Sequence, residues 1–191
     1  MSSIELIMLL QRGDQAAKRQ LFDSYYGKLA AIAQRYAKDQ AQAEEMLNIG
    51  LSSCMYKLER HRHIQDLNLD AYMKTEFITD CIAFIKSIRS EYYVSSTVNA
   101  SRETSAKNYN LFETHDLVDF HHIDNAVLIK SLQQIVPSQR LIFNLHVVDG
   151  FSLPEASAML ESSEETVKSN LEKARFNLQK NIEASVKNIK V

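Results

Sequence analysis

The stretch that decides the fold is residues 150–178, GFSLPEASAMLESSEETVKSNLEKARFNL. Ser152, followed three residues later by Glu155, forms the capping box that opens a helix. We expect this helix to end near Leu160 and, after a break of three residues, a second helix to begin near Glu164. Two capped helices joined by a turn of three to four residues make a helix-turn-helix.

The second of these helices has one apolar stripe. At about 100° per residue, Leu171, Ala174 and Leu178 fall within about 40° of Val167, so we expect this stripe to pack against its own domain. The other flanks then remain for base edges and phosphates, which is what a DNA-recognition helix needs. The residues predicted to contact DNA are Glu164, Thr166, Lys168, Ser169, Asn170, Lys173 and Arg175. A helical hairpin with solvated charges remains the alternative for this pattern on its own.

Turn-forming residues are scarce along the whole chain of 191 residues. Four glycines and two prolines fall well below average usage, and so few exclude a sandwich, a barrel or another fold of many short strands. An apolar content of 45% is enough for a hydrophobic core. The composition therefore indicates a mostly helical protein.

Four helices are predicted in residues 1–90. The first is short and ends at Gly13, Asp14 caps the second, and Asp39 caps the third. The fourth runs over about residues 69–89. The apolar positions of the second helix are Leu21, Phe22, Tyr25, Leu29, Ile32, Ala33 and Tyr36. Because such positions recur every three to four residues, we expect these helices to form one small domain.

A linker separates this domain from a second helical one. Residues 91–124 lack a sustained period and carry six acidic and two basic residues, which predicts an acidic linker. Residues 125–191 are helical again, and Pro137 opens a helix that carries the apolar residues Leu141, Ile142, Leu145 and Val148 and stops at Gly150. The predicted architecture is all-α, with two small helical domains joined by the linker.

The net charge gives no sign of a chain-wide basic surface. The chain has 22 Lys and Arg against 24 Asp and Glu, a net charge of −2 and a pI near 6.3, whereas nucleic-acid-binding domains often exceed a pI of about 9. The linker accounts for the acidity, because the segments on either side each carry a formal charge of +1. A locally basic face is therefore compatible with the overall charge.

The cysteines and the apolar runs indicate a cytoplasmic location. Cys54 and Cys81 lie within apolar helical patterns and have no CxxC spacing, which predicts two reduced thiols in the core. No apolar run approaches the roughly 18 residues of a membrane span, and the N-terminal stretch lacks the basic region of a signal peptide. We therefore expect no membrane insertion.

The motifs of common enzyme sites do not occur in this sequence. There is no Gly-rich phosphate loop, no HExxH and no G-x-S-x-G, which are the patterns of nucleotide, zinc and acyl-transfer chemistry. The paired histidines lack the spacing of metal ligands. We therefore predict a protein that is not an enzyme and has no metal or cofactor.

Residues 137–178 resemble region four of the bacterial RNA polymerase sigma factors. The family pattern is roughly LP-x-x-x-R-x-x-F-x-L, then G-x-S-x-x-E-I-A, then S-x-x-TVKS-x-L-x-R-A-R-x-x-L. This chain follows it through Arg140, Gly150 and Ser152, and most specifically in the run TVKS-x-L-x-K-A-R at residues 166–175. Within the sigma-70 family, the chain is most similar to the compact extracytoplasmic-function group.

Residues 1–90 resemble region two of the same family. The stretch from 13 to 58, GDQAAKRQLFDSYYGKLAAIAQRYAKDQAQAEEMLNIGLSSCMYKL, is similar to the opening of that region, and residues 71–89, AYMKTEFITDCIAFIKSIR, are similar to its final helix. The resemblance implies a sigma factor whose region two binds core RNA polymerase and opens the −10 promoter element. Region four would then read the −35 element. Members of this group can also be held inactive by an anti-sigma protein, and nothing in this sequence shows such a partner.

The resemblance also implies which residues of the first domain meet each partner. The polymerase-binding residues are expected to be Glu44, Glu45, Asn48, Ile49 and Ser52. The residues expected to hold the melted −10 strand are Tyr72, Lys74, Lys86 and Arg89. An aromatic side chain can stack on a flipped base while lysine and arginine contact phosphates.

Several positions depart from the family pattern. The family usually has Gln-Glu at the place of Asn48-Ile49, an apolar residue at Glu76, Asn at Thr79, Asp at Ala83 and Gly at Glu165. These departures leave open a second interpretation, a degenerate sigma-like interaction protein that has lost promoter opening. A third, a helix-turn-helix regulator that acts without polymerase, would leave residues 1–90 without a purpose.

Overall fold

The computed structural model describes residues 2–63, 65–88 and 123–189, with side chains described as far as residue 186. All regular secondary structure within these ranges is helical, which confirms the all-α prediction. The chain divides into two compact units, Met1–Phe84 and Ile85–Val191. The predicted linker at 91–124 lies outside the described residues except for its last two positions, and Arg89 lies outside them as well.

The first unit is built from α1 (Ser3–Gln11), α2 (Gln15–Tyr36), α3 (Gln40–Glu59) and most of α4 (Leu69–Ser87). The predicted caps are confirmed: Asp14 accepts a hydrogen bond from the backbone N–H of Ala17 at 2.8 Å, and Asp39 accepts one from Gln42 at 2.8 Å. Gly13 has a φ of +79°, which a glycine adopts without steric cost. Local sequence chemistry therefore fixes where these helices begin and end.

The core of the first unit follows the predicted periodicity with one exception. The apolar positions of α2 are buried except for Phe22, whose side chain is 42% exposed. Phe22 keeps the helical period but lies outside the core, because Leu21 and Tyr25 already fill the inward face of this turn. Cys54 and Cys81 are buried thiols that form no disulfide, as predicted.

α3 and α4 approach each other closely at Gly50. A Cβ atom at this position would lie 2.6 Å from the ring of Phe77, which is closer than carbon atoms pack. Phe77 is itself fully buried. The absence of a side chain at residue 50 therefore sets the distance between the two helices.

The second unit contains α5 (Asn125–Gln133), α6 (Pro137–Phe143), a π-helical turn (Asn144–Val148), α7 (Leu153–Leu160) and α8 (Glu164–Ile189). Of the four apolar residues on the helix predicted to begin at Pro137, Leu141, Ile142 and Leu145 are buried, and Val148 does not follow them into the core. Instead, the π-helical turn rotates the chain, and Val148 is 47% exposed. Gly150, with a φ of +83°, ends this segment as predicted.

A buried arginine joins the helices of the second unit. The Arg140 side chain is 2% exposed and donates hydrogen bonds to the carbonyl oxygens of Gln133 and Ile135, both at 2.9 Å. These carbonyls stand at the C-terminal end of α5, where helical partners run out. Arg140 therefore caps α5 from within α6.

Within the ranges that the structure describes, no helix combines the length and the apolar character needed to cross a membrane.

Candidate nucleic-acid interface

The capping box predicted at the start of α7 is present. The hydroxyl oxygen of Ser152 accepts a hydrogen bond from the backbone N–H of Glu155 at 3.3 Å, and the Glu155 carboxylate accepts one from the backbone N–H of Ser152 at 2.7 Å. The hydrogen bonds from the side chain and the backbone of Ser152 lower the pKa of Glu155 below its usual value. The first helix of the motif therefore begins at a defined residue.

The turn between α7 and α8 is held by its own polar groups. Glu161 adopts the left-handed conformation, with a φ of +53°, and the Ser157 hydroxyl donates to the carbonyl of Ser162. Ser163 then caps α8, because its hydroxyl oxygen accepts a hydrogen bond from the backbone N–H of Thr166 at 3.2 Å. These contacts fix the angle at which α8 leaves the turn.

The inner stripe of α8 packs as the sequence predicts. Val167, Leu171 and Ala174 are buried, and Leu178 packs against the cluster that includes Leu132 and Ile135 of α5. Two side-chain hydrogen bonds also hold α8 in place: Asn177 donates to Gln139 at 2.8 Å, and Asn181 donates to the carbonyl of Ser131 at 3.1 Å. This stripe is therefore occupied by the domain's own core.

The structure brings the predicted DNA-contacting residues together on the remaining surface of α8. Five of the seven are exposed, and Asn170 and Lys173 are half-buried. Neither Lys168 nor Arg175 forms an ion pair within the described part of the chain. Two cationic side chains are therefore available on one flank of the helix.

The face of α8 opposite the buried stripe carries four exposed residues, three of which were not among the predicted DNA contacts. Each lies about one turn after the one before it, and they are Glu165, Ser169, Glu172 and Phe176. Of these only Ser169 was predicted to contact DNA, although Phe176 is 38% exposed. At about 100° per residue all four lie between about 140° and 200° from Val167, so their outward orientation was predictable from the buried stripe.

The predicted polymerase-binding residues share one exposed face of α3. All five are exposed, and the Ile49 side chain is 52% exposed. The Ser52 hydroxyl donates to the carbonyl of Asn48 at 2.8 Å, and Gln40 donates to Glu44 at 2.9 Å. This face therefore combines carboxylates with an exposed branched side chain.

Aromatic side chains of α2 extend this face. The rings of Phe22 and Tyr26 have centroids 5.2 Å apart, and both side chains are exposed. Tyr26 also lines a surface depression together with Glu44, Leu47 and Asn48. Sequence periodicity missed this pair, because aromatic residues are assigned to a core by default.

The residues predicted to hold the −10 strand are only partly brought together. Tyr72 is half-buried, with its ring edge against His61 at a centroid distance of 5.0 Å, and burial raises its pKa, with a further contribution from Glu76. Lys74 is half-buried beside a depression lined by Tyr25 and other residues of α2. Lys86 lies in the last turn of α4, and Arg89 lies outside the described residues.

A cationic side chain neutralises Glu76, which departs from the family pattern, together with Asp80 of the same helix. The Lys57 ammonium lies 2.9 Å from Glu76 and 2.7 Å from Asp80. Burial lowers the pKa of Lys57, but the hydrogen bonds to Asp80 and Glu76 more than offset this and raise it overall. The Thr79 hydroxyl donates a hydrogen bond to the carbonyl oxygen of Thr75 at 2.9 Å. These positions are therefore engaged in contacts within the unit.

A capped helix, a fixed turn and a second helix with a cationic outer flank define a helix-turn-helix of the DNA-binding class. Residues 126–178 match the family described as "Sigma-70, region 4". The chain therefore carries a sigma-70 region 4 domain, and the resemblance found at residues 137–178 is confirmed.

Two other comparisons add context. Among solved structures, the chain is similar to the "Co-crystal structure of the sigma factor RpoE in complex with the anti-sigma factor NepR from Bartonella quintana". The TM-score is 0.49 and the sequence identity 22%, over 86% of this chain and 96% of that chain. Comparison of the sequence with curated proteins gives no match.

Proposed function

We propose that this chain is a sigma factor of the extracytoplasmic-function group. It joins core RNA polymerase in the cytoplasm, directs the enzyme to promoters and has no catalysis of its own. The first unit binds the polymerase and the −10 element, and the second places α8 in the major groove of the −35 element. An anti-sigma protein that controls access to these surfaces belongs to the same proposal and rests on the sequence resemblance alone.

The observation that carries this proposal is the division of α8 into an inner and an outer surface. Val167, Leu171 and Ala174 are buried in the domain, whereas Lys168 and Arg175 are exposed on a flank. Cationic side chains on the flank of a recognition helix contact phosphates and set the register of the helix on the duplex. Since this division occurs inside a region 4 domain, promoter reading is the function that the geometry supports best.

The exposed face of α3 supports the polymerase contact. Glu44 and Glu45 are exposed there, and Ile49 adds apolar area beside them. A carboxylate-rich surface favours a basic partner and guides its approach, while exposed apolar groups give the contact area that charges alone do not. The aromatic pair of α2 enlarges the same surface.

The test is to mix the full chain with core RNA polymerase, measure co-elution, and then measure run-off transcription from genomic promoter fragments. Lys168→Ala and Arg175→Ala should each weaken binding of the assembled complex to promoter DNA several-fold, because each removes a phosphate contact, and should leave co-elution unchanged. Lys180→Ala is the matched control, since it removes an exposed lysine of the same helix beyond the region 4 match. Unchanged promoter affinity in both flank variants would contradict the placement of the reading helix.

A second candidate is a degenerate sigma-like protein that binds polymerase without opening promoters. It is favoured by α4, where Glu76 is paired with Lys57 and the Thr79 hydroxyl is bonded within its own helix. Neither group is then poised to capture a flipped base. Co-elution with polymerase without any transcript would select this candidate, and DNA binding without co-elution would select a regulator that acts alone.

A further inference from the structure

The outward face of α8 is defined by what its inward face buries. Taking Val167 as zero and about 100° per residue, Glu165 lies at about 160° and Glu164 at about 60°. Since Leu171 and Ala174 bracket Val167 on the buried side, Glu164 stands next to the buried stripe and Glu165 points away from the domain. Of the two adjacent glutamates, Glu165 is therefore the one that faces a ligand lying on α8.

The carboxylate of Glu165 is not neutralised inside the domain. Lys168 follows it by three residues, a spacing at which side chains on a helix can meet. Even so, Glu165 forms no ion pair or side-chain hydrogen bond within the described ranges. Lys168 and Arg175 instead lie together on a flank at about 80–100° from Val167. The outer surface thus presents a central carboxylate with cations to one side.

This arrangement suits a duplex in which the flank meets phosphates and the centre meets base edges. A carboxylate accepts hydrogen bonds and donates none. In the major groove, guanine presents two acceptors and thymine an acceptor and a methyl group, so both are unfavourable neighbours. Adenine offers one donor beside its own acceptor N7, whereas the cytosine edge offers its amino group and no acceptor of its own. Cytosine is therefore the base that a central glutamate selects.

We propose that Glu165 is a specificity-determining residue that selects cytosine at one position of the −35 element. The proposal rests on the function proposed above and names part of its DNA target. Glu165 stands where the family usually has glycine, which contributes no side chain to the groove. The cations of the flank supply affinity, and Glu165 supplies a base preference that the family pattern does not contain.

The test uses the full chain assembled with core RNA polymerase and a pool of promoter fragments randomised across the −35 element. The bound fragments are sequenced for the wild type and for the Glu165→Gln, Glu165→Gly and Glu183→Gln variants. We expect the wild-type motif to include a cytosine whose replacement lowers occupancy about tenfold. Glu165→Gln should move the preference at that position towards adenine, because glutamine pairs with adenine N6 and N7. Glu165→Gly should abolish the base preference at that position, because glycine has no side chain to contact the base.

The matched control is Glu183→Gln, which makes the same chemical change on α8 beyond the region 4 match and should leave the motif as it is. If both Glu165 variants bind every fragment more tightly and keep the wild-type motif, Glu165 only repels phosphates and the proposal is wrong. If the polymerase assembly forms but selects no −35 motif, promoter reading by α8 fails together with this proposal. If no assembly forms, the proposed function fails at its first step and takes this proposal with it.

Discussion

Arg140 matches an arginine of the family pattern, and its contacts in the structure explain what an arginine does at that position. Its guanidinium is buried and holds two carbonyl groups at the end of α5. Arg140→Met keeps much of the volume but leaves those carbonyls without a donor. We expect a loss of about 3 kcal/mol in the free energy of unfolding, measured by urea denaturation. Arg175→Met, on the exposed flank, should change it by less than about 0.5 kcal/mol, and equal losses would contradict the capping role.

Cys54 provides a prediction about pH. Burial raises the pKa of its thiol to about 12, so the folded state holds the proton more tightly than the unfolded chain, where thiols titrate near 8.5. The contribution of Cys54 to stability is therefore fully present below that value and falls as the pH rises above it. Because the thiolate is the reactive form, alkylation at pH 8 should be at least tenfold slower in native than in urea-unfolded protein. Mass spectrometry of each cysteine measures this, and equal rates would show that the site opens readily.

Two helical glycines of the first unit should respond to the same substitution with opposite signs. A Cβ at Gly50 meets the ring of Phe77, whereas a Cβ at Gly27 meets nothing within 4 Å. Gly50→Ala should cost about 1–3 kcal/mol because α3 and α4 must separate, and Gly27→Ala should gain about 0.5–1 kcal/mol because alanine favours the helix. Thermal unfolding of both variants tests this. A gain at both positions would mean that the helices accommodate the methyl group.

Helix ends were predictable from the sequence because their causes are local. The caps at Asp14, Asp39 and Ser152 each depend on a side chain within three residues of the N–H that it serves. The π-helical turn before Gly150 was not predictable, because its rotation depends on packing across the unit rather than on neighbouring residues. This is why Val148, which fits a helical period, is exposed.

For the whole molecule, the sequence predicted which side of α8 forms the candidate interface. It did not predict the contacts that join helices of the first unit. The buried stripe of α8 was predicted correctly, because periodicity fixes which side of a helix is apolar. The pairing of Lys57 with Glu76 and Asp80 joins two helices, and no spacing along the chain reveals it. The aromatic pair of α2 was missed for a related reason: whether an apolar side chain is covered depends on residues far away in the sequence.

The two units are expected to perform separable tasks, which gives a prediction for the complete protein. Glu44→Lys combined with Ile49→Lys replaces an exposed carboxylate and an exposed apolar side chain with charges that repel a basic partner. Co-elution with core RNA polymerase should weaken at least tenfold, while circular dichroism stays that of a folded helical protein. Asp66→Lys, a charge reversal at an exposed loop residue of the same unit, should leave co-elution intact. If the double variant still binds polymerase like the wild type, the contact lies elsewhere on the first unit, and Phe22 and Tyr26 become the residues to replace.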